Sequence, residues 1–289
     1  MNRLPWRRKH LWHGVLFLIA ALFVFGNTVS MGSYTIPDAS HGWGGVIALF
    51  LLGMGVFLLF KGEQFLEGGS VVAEYYEAIA MAVAIAFMVR TFVVEPFKIP
   101  SGSMIPTLLV GDYLFVNKTA YGYRLPFTQQ RIFMGDGPKR GEIAVFEYPK
   151  DPTKDYIKRI VALPGDRVAY REKRLFVNGQ LVAQQLEGNY TYVNEYEQKI
   201  ESQRLVEKFG DQPHSILVRP FANMDQITDE KIPPDHYFVM GDNRDNSNDS
   251  RYWGVVPAHR LVGRAVVLFW SWDRIDNKPR WERVGQMIR

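Results

Sequence analysis

Glu95-Pro-Phe-Lys-Ile-Pro-Ser-Gly-Ser-Met-Ile-Pro-Thr-Leu108 separates two unlike parts of the chain. Upstream the sequence is dominated by long apolar runs, and downstream short β-prone runs alternate with turn residues. Within the stretch, Pro100 fixes its own φ and disfavours helix at Ile99, so residues 97–100 are expected to be extended. Gly102 permits backbone that a side chain would strain, which lets Ser103 project into a groove. A positioned hydroxyl just past an apolar run suits a membrane-proximal acyl-transfer enzyme. A plain Ser/Gly/Pro turn is the competing reading of this segment taken alone.

Upstream, Asp38 is the only formally charged residue between Lys9 and Lys61. A soluble domain would interrupt such runs with charges to solvate one helix face. A bilayer crossing needs roughly 20 residues, and three runs reach or approach that length. Residues 1–92 therefore read as a membrane anchor with transmembrane helices at roughly 11–28, 43–60 and 71–92. Buried core or interfacial helices are the alternative for each run. Arg3, Arg7, Arg8 and Lys9 precede the first run, whereas residues 26–42 carry no Lys or Arg. The excess of cations on one side predicts a cytoplasmic N-terminus, with everything beyond about residue 92 outside. The first run also fits a cleavable signal peptide, with small residues near Ser30 and Gly32.

Downstream, Tyr113-Leu-Phe-Val-Asn117, Glu142-Ile-Ala-Val-Phe-Glu147, residues 156–163, Arg167-Val-Ala-Tyr170, Arg174-Leu-Phe-Val177, Tyr237-Phe-Val-Met240 and residues 264–270 read as strands. Asn178-Gly179 marks a tight hairpin. Residues 93–289 are thus expected to form a mostly-β domain. Its polar, Tyr/Glu-rich segment 184–212 reads as a smaller inserted β region or loop. The 289 residues are 47% hydrophobic and 22% charged, and the net charge is only +4. That balance gives no case for nucleic acid as a partner. The absence of Cys excludes disulfides, Cys-ligated metal centres and thiol nucleophiles.

A nucleophilic Ser needs a base. Of six His, three (His10, His13, His41) lie in the anchor, and His214, His236 and His259 have no triad context. His236 is the best of these. Lysine is the other option. In Asp155-Tyr-Ile-Lys-Arg-Ile-Val-Ala-Leu163 a strand period puts Tyr156, Lys158, Ile160 and Ala162 on one face and Arg159 on the other. A free Lys, with pKa near ~10.4, is no base near neutrality. Desolvation lowers that value, so a buried Lys158 could take a proton from a Ser hydroxyl. A Lys reaching along a sheet edge is the bland alternative. The block Met240-Gly-Asp-Asn-Arg-Asp-Asn-Ser-Asn-Asp-Ser-Arg-Tyr-Trp-Gly254 reads as a loop held by side-chain hydrogen bonds. As a calcium loop starting at Asp245 it fails, because Ser250 replaces the required Gly and Val256 the closing Glu. Asp249 with Arg251, or Asp242 with Arg244, could hold it as ion pairs.

The order of these blocks is more specific than any one of them. Apolar spans, Pro-Ser-Gly-Ser-Met-Ile-Pro-Thr-Leu, Gly111-Asp-Tyr-Leu-Phe-Val-Asn-Lys118, Asp155-Tyr-Ile-Lys-Arg and Gly-Asp-Asn-Arg-Asp-Asn-Ser-x-Asp-Ser-Arg closely resemble the bacterial type I signal peptidases (leader peptidases). The resemblance covers residues from about 90 to 264, apart from 184–212. It implies a membrane-anchored, mostly-β serine endopeptidase that uses a Ser–Lys pair and neither cofactor nor metal. By position, it implies Ser103 as nucleophile, Lys158 as general base, and Ser101 with the Ser103 N–H as oxyanion hole. Ser247 would orient the lysine, Asp249 and Arg251 would support the site, and Asp242, Arg244 and Arg159 would be structural. Phe97, Ile99, Pro100, Leu108, Tyr156 and Ile157 would line pockets for small side chains at −1 and −3 of an extended substrate. The implied partners are signal peptides of exported preproteins and the lipid bilayer, with the secretion translocase left open. The implied location is the bacterial cytoplasmic membrane, with the catalytic domain on the periplasmic side. Many relatives carry one or two spans where three are counted here, so the exact topology stays open. Two rival readings also stay open: a dedicated peptidase with a narrow client, such as a pilin or conjugation protein, and a tethered domain that binds without cutting.

Overall fold

In a computed structural model the chain divides into two units, Met1–Val93 with Pro126–Thr128, and Val94–Leu125 with Gln129–Arg289. The structure describes residues 93–124, 131–133, 137–194, 198–210, 212–220 and 227–288, together with positions 53, 82, 85, 86, 89 and 90. The expected spans at 11–28 and 43–60 lie almost wholly outside the described residues. Within 71–92, positions 82, 85, 86, 89 and 90 are helical, and Ile85 and Val89 are exposed. Among the described residues no helix is long and apolar enough to cross a membrane.

The second unit is built almost entirely of strands. In chain order these are β1 (Val94–Lys98), β2 (Asp112–Asn117), β3 (Tyr123–Arg124), β4 (Arg131–Phe133), β5 (Ile143–Tyr148) and β6 (Asp151–Ala162). They continue with β7 (Arg167–Arg171), β8 (Arg174–Val177), β9 (Gln180–Leu181), β10 (Gln184–Val193), β11 (Lys199–Phe209) and β12 (Gln212–Val218). The last are β13 (Ile227–Lys231), β14 (His236–Met240), β15 (Val256–Pro257), β16 (Leu261–Asp273) and β17 (Lys278–Pro279), with one helical turn, α1 (Ser250–Trp253). The mostly-β expectation therefore holds for this unit.

One antiparallel sheet, in the order β1-β2-β16-β5-β6-β14-β15 with β17 against the end of β16, carries the candidate site. Its strands alternate because one face meets the core and the other does not. In β2, Asp112, Leu114 and Val116 are buried while the residues between them are partly exposed. Leu114 and Val116 join Ile99, Met104, Leu108, Ile143, Val145, Ile157, Ala265 and Leu268 in a buried cluster beneath the serine segment. β6 begins earlier than the sequence suggests, at Asp151, and from Ile157 to Ala162 both of its faces are covered. A second cluster, including Val161, Tyr170, Leu175, Phe238 and Met240, joins β6 and β14 to the small sheet β13-β7-β8-β9. The Asn178-Gly179 hairpin is present: both residues have positive φ, +53° and +77°, and Val177 pairs with Gln180. That twist suits a two-residue turn between antiparallel strands.

In the segment 184–212, β10 and β11 pair antiparallel, and β12 extends them into a three-stranded sheet. Strand register then fixes where the chemistry sits. β1 ends just before Ser101, Lys158 lies opposite Ala144 in the middle of β6, and Met240 pairs with Arg159. The loop after β14 therefore leaves the sheet beside Lys158.

Leu114 is fully buried in the cluster that supports the serine segment. Leu114→Ala is expected to cost about 2–5 kcal/mol, through lost transfer energy and the cavity left behind. Denaturant unfolding of the detergent-solubilised protein checks this, and a loss below about 1 kcal/mol would place Leu114 outside a packed core.

Candidate active site

Ser103 lies in a single 3-10 turn, Gly102–Met104, entered through an extended Ser101. Its entry strand is pinned to β2: Ile99 N donates to Asp112 O at 2.8 Å, and Gly111 N donates to Ile99 O at 3.1 Å. Beyond the turn, Leu108 N donates to Met104 O at 2.9 Å. The extended segment is as the prolines imply, whereas Gly102 lies in a 3-10 turn and is not among the positive-φ glycines, so the turn does not use glycine's backbone freedom as the sequence suggested. Ser103 itself is 8% exposed.

Lys158 approaches from β6 and is 4% exposed. Its Nζ lies 2.7 Å from Ser103 Oγ and donates to Ile157 O at 3.0 Å. Among the described residues no carboxylate forms an ion pair with it. Burial pushes the ammonium down from 10.5 to about 8; Asp249 and Asp242 pull it back up, and Arg251 lowers it slightly. A lysine so placed holds a nucleophilic nitrogen within reach of a serine proton near neutral pH. Ser101 Oγ is 3.4 Å from Ser103 Oγ, on the exposed side.

Arg159 faces the other way from Lys158, as the strand period requires. Its Nε and Nη2 donate to the two oxygens of Asp242 at 2.8 and 2.7 Å, and its Nη1 to Gly141 O at 2.6 Å. Thr107 Oγ1 donates to Asp242 Oδ2 at 2.5 Å. Burial alone would raise Asp242, but Arg159 overcomes this and leaves the carboxyl below its usual range. The partner of Asp242 is thus Arg159, and not the Arg244 two residues away that the sequence offered.

Arg244 instead makes a two-pronged contact with Glu207 of β11, both side chains being fully buried. Burial opposes the charge on each, yet the pairing holds Glu207 well below and Arg244 above their ordinary values. Asp249 caps α1 and accepts from Gly241 N at 3.0 Å and from Arg251 Nε and Nη2 at 2.8 and 2.9 Å. Asp245 accepts from Lys173 Nζ and Arg219 N, each at 2.6 Å. Both carboxylates that a calcium loop would use are therefore engaged by cationic and amide donors.

Ser247 is buried beside Asp249 but makes no hydrogen bond to Lys158. Its hydroxyl oxygen has no hydrogen-bond partner among the described residues. Of the six pocket residues, Ile99, Leu108 and Ile157 belong to the buried cluster under the turn, with Phe97 packed against it. Tyr156 is half-buried, its ring 5.4 Å from Lys158 Nζ and stacked on Tyr148, and Pro100 is exposed. His236 opens β14 with its Nδ1 on Pro234 O, and it makes no contact with Ser103. Glu207, Thr107 and Asn243 went unremarked in the sequence. Asn243 lies inside the quoted loop block, whereas Glu207 and Thr107 meet their partners only through the fold.

Residues 72–270 match the family described as signal peptidase, peptidase S26. A signal peptidase I of Pseudomonas aeruginosa is 45% identical over 229 residues, which is 73% of this chain and 78% of the relative. The Pseudomonas fluorescens protein of the same name is 43% identical over 227 residues, with the same coverage of each chain. That of Haemophilus influenzae is 35% identical over 265 residues, 74% of each.

Gly241 lets the loop approach the turn: a Cβ there would lie 2.5 Å from Ser103 O and closer still to Ser247 Oγ. Gly241→Ala is expected to displace Ser103 and lower its acylation by an activated ester by about 10²-fold. An acylation rate equal to that of the unmodified protein, with folding checked by thermal melting, would show that the turn is not held this closely.

Proposed function

The chain belongs to the signal peptidase S26 family, and we propose that in it Ser103 is the nucleophile and Lys158 the general base. It is a serine endopeptidase that removes signal peptides from preproteins. The contact that carries the assignment is the 2.7 Å approach of a buried Lys158 Nζ to Ser103 Oγ. A tethered domain that only bound its clients would have no use for a desolvated lysine held against a serine hydroxyl.

Neutral Lys158 takes the Ser103 proton as Oγ attacks the carbonyl at the end of the signal peptide. The tetrahedral oxyanion is held by the Ser103 N–H and by Ser101 Oγ, each such donor being worth about 10²–10³ in rate. Lys158 then delivers its proton to the leaving amine, which is the N-terminus of the mature protein. Water deprotonated by the same lysine releases the signal peptide from Ser103. The substrate runs as an extended strand beside β1, whose outer edge is unpaired among the described strands. Phe97, Ile99, Pro100, Leu108, Tyr156 and Ile157 shape the pockets for its small side chains. Asp249 with Arg251, Asp242 with Arg159, and Arg244 hold the loop and the base in place, with Ser247 buried in the same loop.

The apolar runs at 11–28, 43–60 and 71–92 anchor the enzyme in the bacterial cytoplasmic membrane with its catalytic unit outside. The support for this is their length and the Lys/Arg asymmetry around the first run. The bilayer is then a permanent partner, and the secretion machinery lies within reach.

Ser103→Ala and Lys158→Ala are each expected to abolish cleavage of a preprotein carrying Ala-x-Ala before its mature start, as read by sequencing the product N-terminus. Lys158→Arg should be equally inactive, because a guanidinium does not deprotonate here; cleavage by that variant would remove Lys158 from its role. Because the base form predominates only above the lysine pKa, activity should rise as pH climbs through about 8 and level off above it. A flat profile across that range would contradict a desolvated lysine base.

A further inference from the structure

The loop that carries Asp242 to Arg251 is gripped from behind by the three-stranded sheet β10-β11-β12. Leu217 of β12 donates its N–H to Asp242 O at 2.8 Å and forms a parallel bridge with Asn243. Glu207 of β11 binds the Arg244 guanidinium. From β10 comes Tyr192, 7% exposed, whose ring packs with Ile105 and Leu217. Its phenol oxygen accepts from Asn243 Nδ2 at 2.8 Å.

Asn243 connects that phenol to the nucleophile. The same Nδ2 donates to Gly102 O at 3.0 Å, so both amide protons are engaged, and Asn243 N donates to Ser103 O at 3.1 Å. Gly102 O and the Ser103 N–H belong to one peptide group, which is planar and points them in opposite directions. A donor fixed on Gly102 O therefore sets the direction of the Ser103 N–H. If one amide proton lost its acceptor, the Asn243 side chain could turn and the peptide plane would no longer be set.

We infer that Tyr192 is a positioning residue for the oxyanion hole: through Asn243 it fixes the peptide plane that aims the Ser103 N–H. The inference rests on the assignment of Ser103 as nucleophile and oxyanion donor. It gives the polar segment 184–212 a part in catalysis, although Tyr192 touches neither substrate nor reacting atoms. An N–H that is needed most when the oxyanion forms affects the transition state more than the bound substrate. The loss should therefore fall on kcat and leave KM in place.

The test is a double-mutant cycle in the full-length, detergent-solubilised enzyme, with Tyr192→Phe, Asn243→Ala and the pair. Steady-state cleavage of a preprotein and the melting temperature are followed for each. Tyr192→Phe keeps the ring and removes the acceptor. It is expected to lower kcat about tenfold, the factor for one neutral hydrogen bond, with KM unchanged and the protein still fully folded at the assay temperature. In the Asn243→Ala background it should have no further effect, because the route through Asn243 is already gone. If Asn243→Ala does not fold, Asn243→Ser takes its place in the cycle. Undiminished kcat in Tyr192→Phe, a loss that follows the melting temperature, or effects that multiply in the double variant would each overturn the inference. Ser103→Ala run in parallel separates the two levels. Cleavage by that variant would sink the nucleophile assignment, whereas its inactivity beside a fully active Tyr192→Phe would sink only the role of Tyr192.

Discussion

A lysine buried to 4% exposure, touching a serine hydroxyl and no carboxylate, is the constraint around which the catalytic unit is arranged. With pKa about 8, roughly a tenth of Lys158 is neutral at pH 7; at its free value near 10.5 the fraction would be about 300-fold smaller. Desolvation supplies the difference, and anything that admits water or a free carboxylate would cancel it. Two carboxylates do lie close enough to pull the value upward, Asp249 and Asp242. Each is bound to an arginine, Arg251 or Arg159, and of these Arg251 offsets part of the upward pull on Lys158. Burial outweighs both carboxylates, so Lys158 stays below its ordinary value.

That arrangement draws on several parts of the fold. β6 presents Lys158 and Arg159 on opposite faces, so one strand supplies both the proposed base and the clamp on Asp242. Thr107, just beyond the serine turn, adds its hydroxyl to the same carboxylate, and Arg283 of the C-terminal segment donates to Thr107 O at 2.9 Å and to Asp112. The turn, the loop after β14 and the chain's last residues are thereby tied to one another through buried charge. Removing one partner from such a pair leaves an unpaired charge in a low-dielectric interior, which is why the arrangement stands or falls together.

What the sequence revealed follows the range of the interaction concerned. Pro100 acts on its own backbone, the Asn178-Gly179 turn is set by two residues, and the alternation that isolates Lys158 on an apolar face needs only β6. These were legible. Glu207 was not, because among the many polar residues of 184–212 nothing local distinguishes the one that meets Arg244. Tyr192 was hidden for the same reason: every other residue of β10 is exposed or partly exposed, and the strand reads as surface. Asp242 was offered Arg244 by proximity in sequence, but a 3-10 turn at Arg244–Asn246 carries that guanidinium to Glu207, leaving Arg159 to reach Asp242 across the sheet. Ser247, given a contact with Lys158 by resemblance, is buried with its hydroxyl bonded to neither Lys158 nor any other described residue.

The measurement closest to the centre of this account is the ionisation of Lys158 itself. Enzyme labelled with carbon-13 at lysine Cε, with Lys158→Met to assign the resonance, can be titrated by NMR in detergent. The account predicts a single buried lysine that titrates near 8, far below the surface lysines. A Lys158 signal that stays protonated until about 10.5 would contradict it, since a lysine that remains an ammonium ion cannot take the proton from Ser103.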